Sequence, residues 1–141
     1  MIYLLDTDHV SLDQRGHPVV NVRISTAGPS QVAICMITVE EQLRGWLAVL
    51  RAAKNGDTRC AAYGRLRAAV EYFASSTLVD YDRAADDLFE DLRRQGIRIG
   101  TQDLRIAAIA LTHNAIVVTR NARDFILVPG LKTEDWSLPA S

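Results

Sequence analysis

Apolar residues in this chain occur either in short unbroken runs or in longer stretches where they recur every three or four positions, the signatures of buried strands and amphipathic helices respectively. The first run, residues 2–5 (IYLL), is continuous, as in a strand covered on both faces. Asp6, Thr7 and Asp8 stop it with side chains that favour turns and helix caps, and a short helix or turn to Arg15 follows. Pro18 suits the first turn of a helix through Ala27, which Gly28 and Pro29 end. Residues 31–37 form the second run. Thr38 then opens a helix with Val39, Leu43, Trp46, Leu47 and Leu50 on one stripe. The polar break Lys54-Asn55-Gly56-Asp57 separates it from a helix over 58–75, so the middle of the chain reads as an αα-hairpin.

A brief third strand at 77–79 precedes a helix over 82–95, with Ala85, Leu88, Phe89 and Leu92 inward and Gly96 at its stop. The stretch 100–125, GTQDLRIAAIALTHNAIVVTRNARDF, organises what remains. Leu104, Ala107, Ala108 and Leu111 share a helical face, Thr101 is placed to cap the start, and His113-Asn114 suits the end. Residues 115–118 are a fourth buried strand. Val128-Pro129-Gly130 makes a turn, residues 131–136 an edge strand, and 139–141 a frayed tail. Strands alternating with helices predict an α/β fold, a parallel sheet of four to five strands between helices. A helix running antiparallel to the strand it precedes starts beside that strand's C-terminal end. Asp103 is therefore expected near Asn121 and Asp124, at the edge where open α/β sheets place ligands.

Length and charge narrow the reading. At 141 residues the chain fits one domain, 1–141, of a size that buries about 68–70% of its unfolded surface. Two cysteines, Cys35 and Cys60, are too few for a disulfide framework and point to a reducing cytoplasm. No apolar run is long enough to span a bilayer, so a membrane location is not expected. A net charge of −1 excludes bulk attraction to nucleic acid, but the charge is uneven. Arg44, Arg51, Lys54, Arg59, Arg65 and Arg67 face only Asp57 in their stretch, which offers a basic flank for a polyanion or simply a solvated helix face. Asp80, Asp82, Asp86, Asp87, Glu90 and Asp91 reverse the bias further on.

Strand-to-helix junctions carry acids: Asp6 and Asp8 after the first strand, Glu40 and Glu41 after the second, and Asp124 beside Asn121 after the fourth, with Asp103 joining from its helix start. Each alone has a structural explanation as an N-cap, as part of a capping box (Thr38 with Glu41) or as a charge at a helix N-terminus. Together they repel, two carboxylates about 4 Å apart costing about 4 kcal/mol at an effective dielectric near 20. A hard divalent cation, Mg²⁺ or Mn²⁺, relieves that cost with oxygen ligands and water. Glu41 points away from the Val39, Leu43 and Trp46 stripe, while Glu40 lies nearer its border. No phosphate-binding loop, dinucleotide fingerprint, CxxC or HExxH is present. His9, His17 and His113 lack metal-ligand spacing and read as surface or capping residues.

On these residues the chain resembles the PIN-domain family and, within it, the VapC toxins of bacterial VapBC toxin–antitoxin pairs. The motifs run nearly end to end: LLDTD at 4–8, ITVEEQLRG at 37–45, IGTQDLRIAAIAL at 99–111, VVTRNARDF at 117–125 and VPGLKTEDW at 128–136. The resemblance implies an α/β/α sandwich and an Mg²⁺- or Mn²⁺-dependent endoribonuclease, inhibited by a small VapB-like antitoxin and paired with a second copy of itself. Asp6, Glu41 and Asp103 match the first three acids. The fourth is split between Asn121, where many relatives carry Asp, and Asp124. Asp8 stands where Asn is common. Asp6 and Asp103 are the implied principal metal ligands, with Glu41 and Asp124 holding water or a second ion and Thr119, with Thr7, orienting a phosphate; Asn121, and Arg44 and Arg51 of the basic flank, are the further candidates for contact with RNA.

Two other readings fit parts of the pattern. An apolar run followed by Asp6-Thr7-Asp8 also suits a haloacid-dehalogenase-like phosphatase with Asp6 as nucleophile, although Lys54 and Lys132, the two lysines, do not follow strands as that chemistry needs. A PIN-like scaffold that binds RNA or a partner without cutting is the alternative outside enzymes.

Overall fold

A computed structural model describes residues 2–139; of the tail expected at 139–141, the last two residues lie outside the described ones. The strands are β1 (Tyr3–Leu5), β2 (Val32–Cys35), β3 (Leu78–Val79), β4 (Ile116–Val118) and β5 (Lys132–Glu134). All pair in parallel in the order β3-β2-β1-β4-β5, with Tyr3 opposite Val32 on one side and Ile116 on the other. Helices α1 (Thr7–Gln14) and α2 (Pro18–Ala27) connect β1 to β2, α3 (Met36–Ala52) and α4 (Gly56–Ala74) connect β2 to β3, and α5 (Arg83–Arg94) and α6 (Thr101–Thr112) connect β3 to β4. The four-residue α7 (Ala122–Phe125) leads toward β5.

Alternate strand residues enter two cores, as the pleat requires. Leu4, Ala33, Cys35 and Val117 pack with Phe89, Leu92 and Ala107 from α5 and α6, while Leu5, Ile34 and Val118 pack with Val10, Val39, Phe73 and Trp136 on the other face. The sheet is thus sandwiched between helices, as expected. Sequence-predicted boundaries shift at two helix starts. The second strand ends at Cys35 because α3 begins at Met36, so Thr38 is interior, fully buried, with its hydroxyl 3.7 Å from the Cys35 sulfur. The capping box expected from Thr38 and Glu41 does not form. Likewise Gly100 rather than Thr101 holds the N-cap position of α6, without a side-chain cap. The expected α3 stripe also turns, burying Ile37, Thr38, Val39 and Gln42 and leaving Leu47 exposed.

In α6 burial extends almost all the way round, through Leu104 and residues 106–110. Its alanines let α5 and the sheet approach, which fixes where Asp103 can be. Gly96, at φ 79, ends α5 in the left-handed region that glycine tolerates without a Cβ penalty. The acidic run at 80–91 is largely internal to its helix: Asp82 caps α5, and Arg83–Asp87, Arg93–Glu90 and Arg94–Asp91 are ion pairs.

Trp136, 2% exposed, closes the second core. Its ring lies 4.9 Å from that of Tyr3, and its indole N–H donates to Glu134 Oε1 at 2.9 Å. Trp136→Ala is expected to cost about 3–5 kcal/mol, as for other large buried aromatics, read as a lower urea midpoint with an unchanged slope.

Candidate active site

The strand order reverses between β1 and β4: the chain leaves β1 toward β2 and β3, and leaves β4 toward β5. The crevice beyond those two strand ends is where open α/β sheets bind ligands. Asp6 sits there, its backbone N–H donating to Val118 O at 3.0 Å. It caps α1, accepting the His9 N–H on Oδ1 at 2.9 Å, and is 8% exposed. From α3 comes Glu41, whose Oε1 accepts the Thr7 hydroxyl at 2.8 Å. Glu40 is turned outward to Arg44 at 2.9 Å and Gln102 at 2.8 Å. The first turn of α6 supplies Asp103, and α7 supplies Asp124. Asn121 links these two, its Nδ2 3.4 Å from Asp103 Oδ2 and 3.0 Å from Asp124 Oδ2.

Burial raises the Asp103 pKa first, and the charges of Glu41, Asp6 and Asp124 add to it, opposed by the Asn121 hydrogen bond. Four carboxylates from four separate parts of the chain therefore share one field. Among the described residues no three or more His, Cys, Asp or Glu side chains are gathered closely enough to hold a metal ion as they stand. As a donor set, carboxylates suit a hard divalent ion better than zinc, which favours a tetrahedral nitrogen or sulfur set.

Other expected residues fall less simply. Thr119 was a candidate for contact with substrate, but it is fully buried and its Oγ1 accepts the Asn121 backbone N–H at 2.8 Å. It shapes the turn that presents Asn121 and is out of reach of a phosphate. Arg44 is paired with Glu40, and Arg51 lies ten residues, about 15 Å, along α3 from Glu41. Asp8 is exposed and 3.5 Å from Arg120, outside the group that acts on Asp103. His17 does cap α2, accepting the Val20 N–H, and His113 ends α6. His9 corrects the expectation of a surface or capping residue: its side chain is fully buried, with Nδ1 3.2 Å from Asp6 Oδ1 and Nε2 accepting the Trp136 N–H at 3.2 Å. The signal available in the sequence was spacing alone, since positions three apart share a helix face.

Beside the carboxylates a cleft of about 310 Å³ is lined by Thr7, Ser11, Glu41, Gln42, Gly45, Trp46 and Val49. Ser11 and Trp46 also border a larger cavity of about 500 Å³ between α1, α3 and α4, where Arg15, Arg65 and Tyr72 stand. The Arg65 guanidinium lies 5.5 Å over the Trp46 ring.

The chain matches no protein-family model. It is 43% identical over 75 residues to a tRNA(fMet)-specific endonuclease VapC of Shigella flexneri, a match covering 50% of this chain and 57% of that protein. Over 139 residues, 95% of this chain and 97% of the other, it is 31% identical to a ribonuclease VapC2 of Haemophilus influenzae. The fold superposes on a chain of the DNA-bound VapBC of Salmonella typhimurium with a TM-score of 0.78, at 27% identity and covering 96% and 98% of the two chains. The 31% identity to that ribonuclease VapC2 over nearly the whole length places the chain in the VapC family.

Proposed function

We propose that this chain is an Mg²⁺- or Mn²⁺-dependent endoribonuclease, the toxin of a toxin–antitoxin pair, acting as a single catalytic domain in the cytoplasm. The observation that carries the reading is Asp103, whose proton affinity is raised by burial and by three other carboxylates at the β1–β4 crevice. The names ribonuclease and endonuclease carried by its relatives support the chemistry. Asp6 and Asp103 would hold the ion, with Glu41 and Asp124 holding its waters. When bound, the ion supplies Lewis acidity and a water of lowered pKa. Thr7 fixes the rotation of Glu41. Asn121 sets Asp103 and Asp124 in register, and its amide carbonyl is available to the ion or to substrate. Arg51, Lys54 and Arg59 have no ion-pair partner among the described residues and could guide RNA phosphates toward the cleft, contacts that give salt-dependent affinity without sequence preference.

The phosphatase alternative loses support from the placement of the lysines. Lys132 pairs with Ile116, at the far end of β4 from the carboxylates, and Lys54 follows the C-terminus of α3, about 20 Å along from Glu41. Among the described residues no helix is long and apolar enough to cross a membrane. Solved relatives are VapBC assemblies, which supports a VapB-like antitoxin as partner; a second copy of the chain completes the proposed complex.

Asp6→Asn and Asp103→Asn are expected to abolish RNA cleavage in Mn²⁺ while the proteins stay folded, and excess chelator to silence the wild type. Asp124→Asn should lose about 10–100-fold and keep measurable activity, as for support exerted through water. Cleavage that persists in chelator rules the metal-dependent reading out, and equal losses for Asp124→Asn and Asp103→Asn make Asp124 a direct ligand.

The Asp103 shift also predicts a pH effect on the metal-free protein. A carboxyl whose folded pKa is raised contributes stability that is full below its unfolded value, 3.8, and is lost as pH rises through the folded value. Asp103→Asn should therefore melt higher than wild type at pH 7 in chelator and alike at pH 3, with Mn²⁺ closing the gap by stabilising the wild type alone. An Asp103→Asn melting point at or below wild type at pH 7 contradicts this. Finally, expression of the chain alone should arrest growth of its host, and co-expression of the small protein encoded beside it should restore growth and yield a complex. Normal growth without that protein argues against a toxin.

A further inference from the structure

His9 is a buried titratable side chain that the proposed chemistry leaves without a task. Its ring is wholly inside the protein, where polar atoms need partners, and both nitrogens have one. The backbone N–H of Trp136 is a fixed donor, so Nε2, 3.2 Å away, accepts and carries no proton. Asp135 Oδ1 lies 3.5 Å from the same nitrogen, but a bond to it would need a proton there, facing the Trp136 N–H. The proton is therefore on Nδ1, which donates to Asp6 Oδ1 at 3.2 Å. That oxygen also receives the His9 backbone N–H at 2.9 Å. Two donors converge on Oδ1, while Oδ2 has no hydrogen-bond partner among the described residues.

We propose that His9 is a positioning residue that locks the rotation of the Asp6 carboxylate, so that Oδ2 alone is offered to the divalent cation. The inference rests on the nuclease reading above. A carboxylate free to spin about its Cβ–Cγ bond alternates which oxygen faces the ion and can chelate with both. One tied at Oδ1 is a single-oxygen ligand of fixed direction, with room left around the ion for water. Supporting groups of this kind set ligand orientation, and their removal typically costs 10–100-fold in metal affinity. The tie also runs outward: through the His9 ring, Trp136 beyond β5 is coupled to the acid after β1.

Calorimetric titration of Mn²⁺ into chelator-stripped protein tests this with three variants, each first shown to be folded. His9→Asn keeps an amide N–H near Nδ1, whereas His9→Gln moves it toward the position of Nε2, and His9→Leu removes it. Expected are an affinity close to wild type for His9→Asn and about 10–100-fold weaker binding for His9→Gln and His9→Leu. In cleavage assays the weaker variants should need more Mn²⁺ for half-maximal rate and recover most of kcat at saturation. A purely structural histidine would lower the melting temperature and leave Mn²⁺ affinity alone, so wild-type affinity in folded His9→Leu or His9→Gln overturns the proposal. If His9→Leu does not fold, the two amides decide it. Equal losses for both, or failure of both to fold, make His9 a core residue only. A wild type that binds no Mn²⁺ removes the nuclease reading and this inference together, whereas wild-type binding with unaltered variants removes the inference alone.

Discussion

Repulsion among Asp6, Glu41, Asp103 and Asp124 is the constraint on which the architecture turns, because a chain left to itself would spread these charges apart. Each is held by a donor that carries no formal charge as bonded: the His9 N–H groups on Asp6, the Thr7 hydroxyl on Glu41, and the Asn121 amide on Asp103 and Asp124. Arginines occur close by, but they pair with acids just outside the group, Arg44 with Glu40 and Arg120 with Asp8. Among the described residues no lysine or arginine forms an ion pair with any of the four. Neutral donors restrain geometry without cancelling charge. The site keeps its negative field, and the free energy of holding it is met by the packing beneath.

That packing is concentrated where the restraint is needed. The order β3-β2-β1-β4-β5 places β1 in the centre, so Asp6 leaves a strand paired on both sides. Helix α6, buried round most of its circumference, carries Asp103 on its half-buried first turn and anchors it through Leu104 and Ala107. Glu41 projects from the second turn of α3, whose first turn is buried through Ile37, Thr38 and Val39. Rigid elements converge, and only the short α7 brings its acid on a loop-like segment.

Much of this was legible in the sequence because it rests on periodicity. Continuous apolar runs marked β1 and β4, the three-to-four spacing marked α5 and α6, and the acids after strand ends marked the edge at which they meet. The preference for Glu41 over Glu40 rested on a stripe that the structure rotates: Glu40 is the exposed one, drawn outward by Arg44 and Gln102, and Glu41 the half-buried one. What failed depended on tertiary competition for local groups. Thr38 has the chemistry of a cap, yet burial against the sheet drew it into the helix interior. Thr119 has the chemistry of a phosphate ligand, yet its hydroxyl is used by the backbone of its own turn. His9 looked dispensable because its partner on the far side, Trp136, is separated from it by 127 residues, a distance that no local pattern encodes.

The contact between His9 and Trp136 also orders events in time. Synthesis is vectorial, and the first acid emerges from the ribosome long before the backbone amide that fixes the ring beneath it. While the chain is being made, Asp6 lacks the β4 carbonyl that receives its N–H and the β5 exit that settles the tautomer of His9. A nascent chain therefore carries the acids without their final alignment, and the finished arrangement first exists when the last strand docks. The ribosome making such a protein is spared a working nuclease until β5 and the Trp136 amide have been made.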